Sequence, residues 1–200
     1  MSLSLALSSC EFMGLSLQED YEYKPRTLNP QINMTVQEFM NSNPEGAFDS
    51  LFSAIEYAGL EAEFAMPGRT FFLLHNLAIY RLGTNGLIDP NCYFAKYKVN
   101  GVNAKKWTDY PVEQVRDLLL YHIVDTHYSF DNLTPDNLQV NTLLEGEKGT
   151  MLLRIVNDRD SRVTINDFFG SQKVTRARTS NILATDGTIH IVGDYADYVP

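Results

Sequence analysis

Along this chain the spacing of apolar positions changes from three-and-four to two. Phe48, Leu51, Phe52 and Ile55 stand at i, i+3, i+4 and i+7, and Val112, Val115, Leu118 and Leu119 follow a similar spacing. Both stretches predict amphipathic helices with one face turned to a core. Gly59 supplies a left-handed stop for the first, and Pro111 suits the first turn of the second, which runs into "LLLYHIV". Upstream, Thr35-Val36-Gln37-Glu38 is a capping box with Met34 and Phe39 at the staple positions, so a helix should begin at Val36 and break at Asn43-Pro44. "RTFFLL" after the Pro67-Gly68 turn predicts a buried strand, and Asn76 is placed to cap a short helix over "LAIYRL" that Gly83 stops. Downstream, "GTMLLRIV", "RVTIN", "QKVTRARTSNILAT" and "TIHIV" predict antiparallel strands. Asp186-Gly187 between the last two suits a type I′ hairpin turn. Positions 84–110 are irregular and hold the single tryptophan, Trp107, which predicts a long excursion with a hairpin at Asn100-Gly101.

Composition narrows the functions this chain can serve. Its 200 residues, 44% hydrophobic, suffice for one good core, and the simplest division is a tail over 1–30 and one domain over 31–200. A formal net charge of -9 without a Lys/Arg stripe argues against a nucleic-acid partner. Lys173, Arg176 and Arg178 fall near alternate positions and read as a solvated strand face, with an anionic-glycan patch as the alternative. Cys10 and Cys92 form neither a CxxC motif nor a disulfide framework; Cys92 reads as a free or partly buried thiol, and a bridge between the two stays open.

The N-terminal "MSLSLALSSC" resembles a bacterial lipobox in Leu7-Ser8-Ser9-Cys10, which implies lipidation at Cys10 and anchoring to a membrane of the cell envelope. No Lys or Arg precedes Cys10, and the apolar run barely reaches signal-peptide length, so a chance match stays open. The acidic residues Glu11, Glu19, Asp20 and Glu22 that follow suit a tether. No later stretch approaches the ~18 uninterrupted apolar residues of a membrane span.

Three motifs in order resemble the fasciclin (FAS1) domain family. The closing motif, N-I-x-A-x-N-G-x-I-H-x-I-D, is matched by Asn181, Ile182, Ala184, Gly187, Ile189, His190 and Val192, with Asp186 at the turn Asn and Gly193 where the family has Asp. The opening motif is matched by Thr70, Phe72, Asn76 and Ala78, with Leu73-Leu74-His75 replacing Ala-Pro-Thr. Between them stands the Tyr-His pair, Tyr121-His122. The resemblance covers 31–200 and implies an α+β fold, a wedge-like antiparallel β-sandwich with packed α-helices. It also implies extracellular adhesion without cofactor or catalytic apparatus, and receptor contacts near Tyr121 and His122. Asn76, Asn181, Ile182, Gly187 and His190 come over as structural motif residues. With the lipobox, the whole resembles a surface lipoprotein of the Bacteroidetes type, facing the surface or the periplasm from the outer membrane.

The residues themselves add little chemistry beyond this. His122 and His127 are five apart and straddle a helix end, unlike the i, i+4 pair of a helical metal site, so core histidines at His122 and His190 are the expected reading and no metal is. No nucleophile elbow or phosphate loop is present, and the carboxylates lie in turns, so no catalytic residue is assigned. Tyr21, Tyr23, Tyr195 and Tyr198, in the terminal stretches, fit an exposed partner surface or packing on their own domain equally. The expected function is non-enzymatic adhesion to a protein or glycan. The alternative is an accessory structural subunit of an outer-membrane assembly of the glycan-uptake type, for which the long excursion speaks.

Overall fold

The computed structural model describes residues 29–43, 46–156 and 161–198. Cys10 and nearly all of the expected tether lie outside the described residues. Helix α1, Val36–Asn41, starts at the capping box: the Glu38 amide donates to Thr35 Oγ1 at 3.2 Å and the Thr35 amide to Glu38 Oε2 at 2.8 Å. A third cap comes from the far end of the chain, where Asp186 Oδ1 accepts the Val36 amide at 2.8 Å. Helix α2, Asp49–Ala58, ends at Gly59, whose φ of 63° is the left-handed conformation that glycine adopts without steric cost. One turn of α3, Glu61–Phe64, leads to strand β1, Arg69–Leu74, which is buried throughout.

Helix α4 is shorter than its apolar pattern predicts, Asn76–Ile79, because Tyr80 is already extended and Leu82 pairs with Ile88. Its cap is His75 rather than Asn76: His75 Nδ1 accepts the Leu77 amide at 3.1 Å. Asn76 instead docks the start of α2, accepting from the Ser50 amide at 3.0 Å and donating to the Gly46 carbonyl at 2.7 Å. Within the excursion, Asn100-Gly101 is the expected tight turn, with φ of 51° and 79°, and Val99 and Val102 exchange both backbone hydrogen bonds across it. The excursion is far from a loose loop. It contains α5, Tyr93–Lys96, and a 3-10 turn at Trp107–Asp109, where the buried Trp107 indole donates to the Ser50 carbonyl at 2.7 Å. Helix α6, Val112–Tyr121, buries Val115, Leu118 and Leu119 but leaves Val112 exposed, since the first turn overhangs the core.

The remaining strands are β2, Ile123–Val124; β3, Leu138–Asn141; β4, Thr150–Val156; β5, Arg162–Ile165; β6, Thr175–Leu183; and β7, Gly187–Val192. Together with β1 they form one sheet of seven in the order β2-β1-β7-β6-β5-β4-β3. Strand β6 joins its two halves. Its first residues pair with β5 and the rest with β7, with irregularities between Ala177, Thr179 and Ile182 that bend it. The outer strands meet again where Val124 bridges Thr142 and the Leu143 amide donates to the Ile123 carbonyl at 2.8 Å, so the sheet folds over on itself. Phe71, Leu119, Ile123, Met151, Leu153, Ile165 and Ile189 fill the core between. The α+β fold is as expected, with one amendment: β1 runs parallel to β7, Phe72 opposite His190, so the sheet is mixed rather than wholly antiparallel.

Asp186-Gly187 corrects another expectation. Neither residue has a positive φ, so this is not a type I′ turn. Gly187 opens β7, where a Cβ would stand 2.7 Å from the Arg69 carbonyl oxygen and 2.9 Å from the Phe71 ring. Glycine is required there by close approach of β1.

Candidate functional site

The last turn of α6 carries Tyr121 and His122 inward because they follow Leu118 and Leu119 on the buried face. Tyr121 is 0% exposed and His122 2%. His122 Nδ1–H donates to the Leu118 carbonyl at 2.7 Å and Nε2 accepts the Ala196 amide at 3.0 Å, which fixes a neutral ring. Burial pushes its pKa down to about 4. The Tyr121 hydroxyl donates to the Thr150 carbonyl at 3.2 Å and accepts from Asn166 Nδ2 at 2.8 Å. That Asn166 amide also donates to the Asp197 carbonyl at 2.7 Å, and the Tyr198 ring meets Tyr121 edge-on at 4.9 Å between centroids. The Tyr-His pair thus holds the backbone of 196–198 from below. Neither side chain offers a surface to a partner, so any contact made here falls to the residues they hold in place.

Above this floor lies a cleft. Its walls are α5, α6 and the segment 195–198, and it opens as a hollow of about 370 Å³ lined by Tyr93, Tyr97, Gln114, Asp117, Lys148, Asp197 and Tyr198, among others. The Tyr97 hydroxyl donates to Asp197 Oδ1 at 2.7 Å, and Gln114 Nε2 donates to the Tyr93 hydroxyl at 3.1 Å. Burial raises the Tyr93 pKa to about 12, and burial with the neighbouring Asp197 carboxylate raises that of Tyr97 further, so both phenols stay neutral. Tyr195 is 2% exposed and packs edge-on to Tyr93 at 5.3 Å, while Lys173 Nζ lies 3.1 Å from the Tyr195 ring centroid. Lys173 is therefore no part of a solvated strand face, as Arg176 and Arg178 are; it lies before β6 and folds onto the aromatic cluster.

The second buried histidine, His190, has the opposite tautomer. Nε2–H donates to the Tyr128 carbonyl at 3.1 Å, Nδ1 accepts the Asn181 amide at 3.2 Å, and the ring stacks on Phe72 at 5.4 Å. Asn181, left-handed at φ 64°, accepts the Phe130 amide at 2.9 Å, and Ile182 pairs with Ile189. The residues of the closing motif are thus joints between β6, β7 and the 128–130 loop. Both nitrogens of both rings are occupied by backbone groups. Among the described residues, no group of three or more His, Cys, Asp and Glu is arranged to hold a metal. Cys92 is a buried free thiol.

Comparison with known proteins decides the family. The model of the Fasciclin domain matches residues 46–195. This chain belongs to the fasciclin family. Among solved structures, a FAS1 domain pair from the insect cell adhesion molecule fasciclin I is similar in fold, with 17% identity and a TM-score of 0.51 over 78% of this chain and 46% of that one. The chain therefore spans about half the length of that pair. No curated protein sequence matches it.

In this fasciclin domain the departures from the family motifs carry identifiable contacts. His75 provides the α4 cap. Arg81 Nη1 donates to the Gly193 carbonyl at 3.3 Å, and Arg81 Nη2 donates to Asp194 Oδ1 at 3.2 Å. A Cβ at Gly193, where the family has Asp, would stand 2.6 Å from Cδ of the exposed Arg178 side chain, which would have to move aside. Motif reading missed Tyr97, Gln114, Asp117 and Asp197, and placed Lys173 on a solvated strand face. The available signal was the density of aromatics within the excursion, Tyr93, Phe94, Tyr97, Trp107 and Tyr110, answered by Tyr195 and Tyr198 near the end of the chain.

Proposed function

We propose that this fasciclin domain is a non-enzymatic adhesion module of the cell envelope, tethered through Cys10, that binds a protein or glycan partner in the cleft between α5, α6 and 195–198. Adhesion is the role for which fasciclin domains are known. The observation that carries the reading is the use of Tyr121 and His122 as internal supports for 196–198, which leaves the polar and aromatic groups of the cleft in a fixed arrangement. Preorganised polar groups beside aromatic rings favour recognition at low entropic cost. The chemistry of the cleft speaks against catalysis. Its phenols are held neutral, and the histidine beneath it has spent both nitrogens on the backbone.

The test is a screen of the full chain against arrayed glycans and extracellular matrix proteins, beside an Asp117→Ala, Lys148→Ala variant that removes two charged groups from the cleft lining. Specific binding that falls at least tenfold in the variant supports the cleft. Binding unchanged in the variant, or none across the array, counts against it.

One observation favours the second reading, an accessory subunit of an outer-membrane assembly. Phe169 is fully exposed on the loop after β5, where the second reading would seat its protein partner. Co-purification of a stoichiometric envelope protein, lost on Phe169→Ser, would support it.

A further inference from the structure

Beside the cleft, on the other side of Asp197 and Tyr195, lies a larger cavity of about 730 Å³. Arg81, Lys96, Lys98 and Lys173 line it against two carboxylates, Asp194 and Asp197. This excess of cations stands on a chain of formal net charge -9. Arg81 is already spent, paired with Asp89 at 2.9 Å and with Asp194 at 3.2 Å. Lys96, Lys98 and Lys173 have no carboxylate within 4.0 Å among the described residues. Lys96 and Lys98 are exposed, as solvated lysines usually are, but Lys173 is not. Its ammonium is drawn over the Tyr195 ring, and burial pushes its pKa down to about 8, with Lys96 and Arg81 adding to the effect against the pull of Asp197 and Asp194. A half-buried cation facing other cations, without a partnered anion, is a configuration that a bound anion relieves.

We propose that this cavity binds an acidic saccharide, with Lys173, Lys96 and Lys98 holding its carboxylate or sulfate and Asp194, Asp197 and Gln172 accepting or donating hydrogen bonds to its hydroxyls. The proposal deepens the adhesion reading and rests on it. A saccharide fits better than an acidic peptide because the same cavity presents carboxylates beside the lysines. Carboxylates repel a run of Asp and Glu but accept hydroxyl donors. The volume lies within the range of small-ligand sites. The neighbouring hollow of about 580 Å³ is no rival for an anion, since Glu63, Glu113, Asp117 and Glu145 face Arg116 and Lys148 there.

The experiment titrates the full chain with a hexamer of galacturonic acid, a sulfated galactose hexamer, an uncharged galactose hexamer and a hexaglutamate peptide at fixed salt. Lys173→Gln and the surface pair Lys96→Gln, Lys98→Gln are measured beside the parent, with Lys173→Arg as the charge-conserving control. The expected result is binding of one or both acidic saccharides, weakened at least tenfold by Lys173→Gln and by the surface pair, largely kept by Lys173→Arg, and absent for the uncharged hexamer. The surface pair retains this test even if Lys173→Gln fails to fold. Equal binding of the uncharged hexamer, tighter binding of hexaglutamate, or no binding of either acidic saccharide overturns the proposal. If the array of the preceding section still returns a partner sensitive to Asp117→Ala, Lys148→Ala, the adhesion reading stands and only the acidic-saccharide site falls.

Discussion

His122 Nε2 accepts the backbone amide of Ala196 at 3.0 Å inside the core, a bond between residues 74 positions apart. It works only while the ring is neutral, because a protonated Nε2 would face the amide with a second donor. His190 is bound by the same condition through the Asn181 amide. Burial holds both pKa values at about 4, against about 6.5 for an unfolded histidine. Below pH 6.5 the unfolded chain takes up protons that the folded chain refuses. The stabilisation is therefore complete above the unfolded value and is lost as pH falls from about 6.5 to about 4, on the order of 3 kcal/mol for each ring. Denaturant unfolding at stepped pH should show this fall. His122→Gln and His190→Gln should each be less stable at pH 7 and show a shallower fall. A profile flat between pH 6.5 and 4.5 would refute the neutral-histidine assignment.

Tyr121→Phe removes the hydroxyl that joins Asn166 to the Thr150 carbonyl. It should cost about 1–3 kcal/mol, because a buried donor loses its acceptor. The Ala196 and Asp197 amides should exchange faster in this variant, while those of β4 far from Thr150 do not. Equal exchange at 196 and 197 would mean that the hydroxyl does not secure the cleft wall.

Asp186→Ala leaves the Val36 amide at the start of α1 without its carboxylate partner. A loss of about 1 kcal/mol follows from the usual value of an N-terminal cap, and Asp186→Asn should retain most of it. Thermal unfolding of both variants measures the difference.

Thr164 is fully buried in β5 and its hydroxyl has no hydrogen-bond partner among the described residues. Replacing it with the isosteric valine removes an unpaired polar atom without opening a cavity, so Thr164→Val should stabilise the domain by about 1 kcal/mol. A destabilised variant would show that the hydroxyl is satisfied by a group such as an internal water.

Gly187→Ala tests the parallel junction of β1 and β7. The added Cβ would press on the Arg69 carbonyl and the Phe71 ring, and the strain of forcing a side chain into packed surroundings is about 1–3 kcal/mol. The same substitution at the solvent-facing Gly101 changes no packing distance within 4 Å. Its cost there should come from the left-handed φ alone.

What the sequence disclosed follows from the range of each interaction. The Thr35 capping box, the Gly59 stop, the "RTFFLL" strand and the Asn100-Gly101 turn depend on neighbours a few positions away, and each stands where its local pattern places it. The parallel pairing of β1 with β7 was hidden because no local period encodes which distant strand lies alongside. His75 took the cap assigned to Asn76 because the Asn76 side chain had a better use at the start of α2, which only the fold brings near. The alternation rule described Arg176 and Arg178 correctly and failed at Lys173, where an aromatic ring from the end of the chain replaced solvent. The cleft was illegible for the same reason. Its groups come from α5, α6 and 195–198, and the motif residues that pointed to the region, Tyr121 and His122, lie beneath its surface.

The most direct test of the central claim is amide hydrogen exchange of the full chain with and without the partner that the array returns. Binding in the cleft predicts slowed exchange at 93–98, 114–118 and 195–198, with little change at 138–141. Slowing confined to 138–156, with 195–198 unaffected, would place the partner on the far strands and contradict the account.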